Sequence, residues 1–302
     1  MHILRSGLVV VGVLLSSRAD AQAPPTFEAG KKEEIKDVKT VEWTAKGEAG
    51  LVATTGNSRT TTITGSANVT RKDKDNKLEA SADGAFSRAT VRIAADTNGN
   101  GAIDPNELST STATAAENAK IKLRYDRYLT ELDAMYAAAL AGFDHAAGKD
   151  FQGGAQLGYS RGLYKTKVHE VLGEVGYDYT YLKLATGDTA SIHSARGFVG
   201  YKGKLAETTA LEASLEGLFN LNTVTIGDRQ AGFFKDARLN GMVGVTTSLS
   251  TKLSLSASFT VRYDNFPAPL AKFGGLPYAP GFEPLADKVD TITKVTVIMK
   301  FL

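Results

Sequence analysis

The residues with the most specific chemistry lie in "DTNGNGAIDPNEL", residues 96–108. Oxygen donors recur there at the spacing of a calcium-binding loop. Asp96, Asn98, Asn100 and Asp104 take positions 1, 3, 5 and 9 of such a loop. Gly101 falls at position 6, where the chain must turn sharply. Ala102 offers a backbone carbonyl at 7, Ile103 stands at 8, and Glu107 supplies the two-oxygen ligand at 12. Calcium takes six to eight oxygens at varied angles, so Asp96, Asn98, Asn100, Ala102, Asp104 and Glu107 form a candidate site for a structural Ca2+. Three acids with two neutral Asn point to the weak range of extracellular modules, roughly 10⁻⁴–10⁻³ M. The competing reading is an Asn/Gly-rich surface loop that matches by chance. The flanks "SRATVRIAA" and "STSTATAAEN" lack the usual paired helices, so an ion here would clip a long loop rather than open a helix pair.

Other catalytic chemistry is sparse. A hydrolase would need a Ser–His pair with an orienting partner, and the chain has four His and no GxSxG. His2 lies in the leader, His169 at a short turn, and His145 and His193 in or beside longer connections. His145 with Asp144 and Asp150, beside His193 and Asp188, resembles a protease or metal rim. Solvated loop histidines account for the same residues. No catalytic and no cofactor-binding residue is assigned.

The elements that would position these groups show a period of two. In "WTAKGEAGLVATT" one face carries Trp43, Ala45, Ala49, Leu51 and Ala53, and the other Thr44, Lys46, Glu48 and Thr54. The same alternation sets Val171, Val175, Tyr177, Tyr179 and Tyr181 against Glu170, Glu174 and Asp178, and Leu211, Leu215 and Phe219 against Glu212 and Glu216. About twelve such segments recur, each of at least about ten residues, the length a tilted strand needs to cross a bilayer. They span 42–55, 60–72, 77–89, 117–129, 132–143, 151–163, 169–182, 193–205, 209–221, 237–249, 252–264 and 288–301.

Connections alternate in length. Those near 73–76, 130–131, 164–168, 206–208 and 250–251 are short. Those at 90–116, 144–150, 183–192, 222–236 and 265–287 are longer, and the first hairpin "TTGNSRT" is a short exception. Charges crowd one face of the strands and nearly vanish from the other. A lipid exterior imposes that asymmetry, because a charge facing mid-bilayer costs roughly 2–4 kcal/mol. A soluble β-sandwich also alternates, but its strands are shorter. The predicted fold is therefore all-β: a transmembrane, antiparallel, up-and-down β-barrel of about 12 strands with both termini on the short-turn side. Tyr177, Tyr179, Tyr181, Tyr201 and Phe219 read as interfacial belt and lipid-face residues.

Composition agrees. The net charge of +2 offers no polyanion-binding excess, so no nucleic-acid partner is expected. The chain has no Cys, hence no disulfides. Residues 1–23 read as a signal peptide, with Arg5, an apolar run Leu8–Leu15, and cleavage after Ala21 or Ala23. Residues 24–41 are Pro-led and charged, a flexible periplasmic linker. Residues 42–302 form the barrel, with the insertion 90–116. The predicted place is the outer membrane, integral.

Three stretches carry a resemblance. "VEWTAKGEAGLVATTGNSRTTTITGSANVTR", "FQGGAQLGYSRGLYKT" with Arg161, and the closing "DTITKVTVIMKF" are similar to the salt-stress-induced outer-membrane protein family, domain of unknown function 481. The resemblance implies an outer-membrane barrel and leaves its activity open. The aromatic that would signal to the barrel assembly machinery is penultimate here, Phe301 before Leu302.

On the lumen face, Glu79 and Asp83 neighbour Lys120, Lys122 and Arg124. Glu170, Glu174 and Asp178 neighbour Arg196, Lys202 and Lys204, which in turn neighbour Glu212 and Glu216. These charges read either as ion-selecting rings or as ion-pair ladders that partly fill a narrow lumen. The expected function is non-enzymatic: a narrow small-solute channel or an envelope-stress protein with a calcium-clipped outer loop. The alternative is a surface-binding barrel acting through its long loops, and a rim hydrolase is the third reading. Expected partners are outer-membrane lipid and lipopolysaccharide, with the assembly machinery during biogenesis.

Overall fold

The structure, a computed structural model, describes residues 41–54, 59–94, 108–269 and 285–301. The expected signal peptide, the linker up to residue 40 and the calcium-type ligands Asp96–Glu107 lie outside the described residues.

Alternating sequence becomes strand throughout. In chain order these are β1 (Glu42–Thr54), β2 (Arg59–Asp73), β3 (Asn76–Ala94), β4 (Leu108–Tyr128), β5 (Asp133–Asp144), β6 (Lys149–Lys165) and β7 (His169–Leu184). Then follow β8 (Thr189–Lys204), β9 (Thr209–Asn220), β10 (Val224–Ile226), β11 (Arg229–Ala231), β12 (Ala237–Ser248), β13 (Leu253–Asp264) and β14 (Val289–Lys300). Twelve of them close an antiparallel barrel in which each strand pairs with its sequence neighbour, β9 passing to β12, and β14 returns to β1 through Lys46↔Lys300 to Ala49↔Val297. Closure pairs the ladder groups of neighbouring strands where no water would satisfy them, and the β1–β14 seam, with four register pairs among the described residues, is its shortest ladder.

The outer surface is apolar around the whole circumference. Leu51, Ile63, Ile121, Leu157, Val175, Leu215 and Val295 are all more than half exposed. A soluble protein rarely tolerates so continuous an apolar belt, and a lipid-facing barrel requires it. The interior is the reverse: Glu174, Asp178, Arg196, Glu216 and Asn240 are buried. Polar inside, apolar outside and closed is the build of an outer-membrane β-barrel.

Three departures from the sequence reading matter for the site. First, β3 and β4 do not stop near 89 and 117. They pair out to Ala94↔Leu108 as a ribbon, past a bulge at Ser87/Arg88, so strand runs into the insertion 90–116 from both ends. Second, the connections at 144–150 and 183–192 shorten to 145–148 and 185–188. The lumen face of β7 turns from acidic to apolar at Leu182 and Leu184, and that of β8 begins with Ala190 and Ile192. The outward positions there are polar, Lys183, Thr189 and Ser191, so the alternation reverses its sense although the strands continue. Third, the stretch 222–236 is not plain loop. It holds the hairpin β10–β11, which pairs Val224↔Ala231 and turns at Gly227 with φ 57°.

That hairpin supplies the apolar cluster of the long-loop end. Val224, Ile226 and Ala231 pack with Leu182, Leu184, Ala190, Ile192 and Ala268, and Phe266 lies against them. The hairpin fills one side of the barrel mouth. Its base is clasped by Asn220, fully buried, whose amide donates to the carbonyls of Asn222 (2.6 Å) and Gly232 (2.9 Å) and whose side-chain oxygen accepts from the Asp236 N–H (2.9 Å). Burial pushes the Asp236 carboxyl above its usual range, with the nearby Arg238 opposing that rise.

Candidate functional site: the charged lumen

The period of two aims one residue in two at the lumen, and at mid-depth those residues form a single connected network. Arg196 on β8 is its centre. Its Nε donates to Glu216 Oε1 at 2.6 Å, and its Nη1 donates to Glu174 Oε2 and to the Tyr136 hydroxyl, both at 2.7 Å. Arg124 on β4 donates to Glu174 Oε1 and to Asp126 Oδ1, again at 2.7 Å. Asn240 on β12 closes the far side by donating to Glu216 Oε2 at 3.2 Å. The side chains of Arg196, Glu174 and Glu216 are almost wholly withdrawn from solvent. A carboxylate between two guanidiniums is well compensated, and charge-assisted bonds of this length are strong.

The wall between β4 and β7 explains how Arg124 reaches Glu174. At this level β5 presents Ala138, which faces both Arg124 and Gln156 in register, while β6 and β7 present Gly158 and Gly176 side by side. Tyr136 of β5 lies flat over those glycines. A Cβ at Gly158 would meet the Tyr136 oxygen at 2.5 Å, and one at Gly176 would meet it at 2.7 Å. Only glycine leaves the ring that room. The Arg124 guanidinium then stacks 4.2 Å from the ring centroid, with Arg196 at 5.6 Å. Beside this, Asp178 accepts from Gln156 (2.9 Å) and Thr180 (2.8 Å).

Beside the network the lumen opens into a cavity of about 260 Å3. Its wall carries Lys77, Glu79, Lys120, Lys122, Glu174, Glu212 and Lys294 among Ser and Thr hydroxyls. Most of these charges are paired: Lys77–Glu79 at 2.8 Å, Lys202–Glu212 at 3.2 Å and Lys294–Glu48 at 3.0 Å.

The expected charge neighbours are adjacent as read: Glu79↔Arg124, Asp83↔Lys120 and Glu170↔Lys202 are register partners. The bonds differ for Glu79 and Arg124. Glu79 takes Lys77 and the Asn68 amide, while Arg124 crosses to β7. Tyr136, Gln156 and Asn240 escaped the sequence reading. The signal for Tyr136 was its in-phase position in the Ala-rich strand "DAMYAAALAGFD".

The histidines are dispersed. His145 sits 3.5 Å from Glu117 and stacks on Phe143. His193 lies within β8 and hydrogen-bonds the Tyr177 hydroxyl on the lipid face, and His169 bonds Tyr201 at 2.8 Å. Asp144 accepts the Ala147 N–H at 3.0 Å to close its own turn, and Asp188 accepts from Thr186 at 2.9 Å. Among the described residues no group of three or more acids and histidines is placed to hold a metal.

Similarity to solved structures spans most of the chain at low identity. An outer-membrane channel from Pseudomonas putida F1 is 10% identical, over 93% of this chain and 100% of its own, with a TM-score of 0.48. The NanC porin is 8% identical over 86% of this chain and 100% of its own, with a TM-score of 0.45. The translocator domain of the autotransporter NalP from Neisseria meningitidis is 14% identical over 89% and 91%, with a TM-score of 0.40. No curated protein matches the sequence. The family of proteins of unknown function DUF481 matches residues 47–301, and the chain belongs to it.

Proposed function

We propose that this outer-membrane barrel is a narrow, non-enzymatic conduit for small solutes. One observation carries the reading: the polar cavity of about 260 Å3 inside a closed, lipid-facing barrel. Outer-membrane barrels of similar build but more strands hold an open water channel, whereas about twelve strands leave a lumen that side chains can narrow. The Arg124–Glu174–Arg196–Glu216 network and Tyr136 supply that narrowing at mid-depth. The hairpin β10–β11 narrows the mouth.

The loop Asp96–Glu107 fits this reading as a structural calcium clip. Its ends are brought together by the Ala94↔Leu108 pair, so the ion would cap the tip of the β3–β4 ribbon. The same ribbon supports the second reading, a surface-binding barrel, because it carries the chain beyond the span of its neighbours. Lipid and lipopolysaccharide contact the apolar belt in either case, and envelope stress would be the setting in which the conduit serves.

Proteoliposome swelling tests the conduit. Refolded mature protein is expected to admit a pentose and to exclude a trisaccharide. Swelling no faster than in empty liposomes, with the barrel shown to be folded, removes the reading in favour of the surface-binding one.

A further inference from the structure

Cations around the lumen are matched with carboxylates. Lys77, Arg124, Arg196, Lys202 and Lys294 each hold one at 2.6–3.2 Å. Lys120 and Lys122 do not. They sit two apart on the lumen face of β4 and line the cavity. Among the described residues, neither has a carboxylate within 4.0 Å or a hydrogen-bonded partner. Across the ladder Lys122 faces Ser81 and Leu140, and Lys120 faces Asp83 and Gly142. Of the carboxylates that share the cavity, Glu48, Glu79, Glu174 and Glu212 are already engaged by other cations, and Asp83 faces Lys120 across the ladder without coming within 4.0 Å of its ammonium.

Two neighbouring ammonium groups on one strand face repel each other, and the low-dielectric wall makes that repulsion stronger than in water. An anion between them would relieve it. The opposite wall, from β12 and β13, offers the hydroxyls of Thr246, Ser256, Ser258 and Thr260. A wall of ammonium groups facing a wall of hydroxyls suits a ligand with a carboxylate at one end and hydroxyls along its length. The volume restricts that ligand to a small one.

We infer that the lumen cavity is a binding site for a small hydroxylated carboxylate, with Lys120 and Lys122 holding the carboxylate. This deepens the conduit reading and rests on it for the ligand's way in. Lys122 carries the larger share, because no acid faces it across either ladder, whereas Asp83 faces Lys120.

The test is isothermal titration calorimetry of the refolded barrel in detergent at low ionic strength. Sodium gluconate is the probe, and sorbitol, a polyol of like size with no carboxylate, is the control. Gluconate is expected to bind and sorbitol to give no saturable heat. Lys122→Met is expected to weaken gluconate binding by at least about tenfold, as loss of a charge partner in a desolvated site does. Lys120→Met is expected to weaken it to a smaller extent, and serves if the first variant fails to fold. Gluconate indistinguishable from sorbitol, or gluconate binding unchanged in both variants, overturns the inference. Binding by a barrel that is silent in the swelling assay leaves the site standing and removes the conduit. Swelling without gluconate binding does the reverse.

Discussion

Glu174 is the residue on which the mid-lumen depends. It accepts from Arg124 and Arg196 at once, at 2.7 Å each, and is 4% exposed. Replacing it with Gln keeps the volume and removes the charge, leaving two guanidiniums facing each other across one neutral amide. Breaking a buried pair by removing one partner costs about 3–5 kcal/mol, because the remaining charge stays desolvated. Glu174→Gln is expected to lower stability by that amount in urea unfolding of the vesicle-inserted barrel. A change under about 1 kcal/mol would mean that the lumen is wet enough to screen the pair. The sequence reading brought Glu174 and Arg196 together, since they lie on adjacent strands and on the same face. It could not bring in Arg124, because that bond spans three strand steps and depends on what lines the wall between. Ala138, Gly158 and Gly176 are small residues with no signal of their own, yet they are what lets Tyr136 lie flat and Arg124 reach.

Among the elements, the long amphipathic strands were legible almost to their ends. β9 was expected at 209–221 and runs Thr209–Asn220, and β13 was expected at 252–264 and runs Leu253–Asp264. Legibility failed where the two faces exchange character. At the long-loop end of β7 and β8 the lumen face carries Leu182, Leu184 and Ile192, because there it meets the apolar side of β10–β11 rather than the charged cavity. A pair of three-residue strands closing on Gly227 is too short for periodicity to reveal. The β3–β4 ribbon failed in the other direction: its Thr, Ser and Ala run lacks lipid-facing bulk because it projects past the apolar belt. The calcium prediction belongs to this element. Glu107→Gln removes the one residue suited to give two charged oxygens. Terbium luminescence of the wild-type barrel is expected to show saturable binding that this variant weakens by at least about tenfold, a loss of about 1.4 kcal/mol. Identical titration curves would mean that Asp96–Glu107 is an ordinary surface loop.

At the scale of the whole molecule, closure and face asymmetry decide the rest. Twelve strands in a closed barrel, an apolar outside and a charged inside put it in a membrane and give it a lumen. The central claim is that this lumen conducts and that the folded-in hairpin, rather than the wall, sets its width at the mouth. Single-channel recording in planar bilayers tests it most directly. Wild-type barrel is expected to show small, steady, discrete openings. A variant with residues 223–232 replaced by a short Gly/Ser link is expected to show openings of larger conductance, because the mouth loses Val224, Ile226 and Ala231 while the ladder strands stay intact. Silence from both proteins, each shown to be folded and inserted, would contradict the account and leave a barrel whose interior serves only to hold it together.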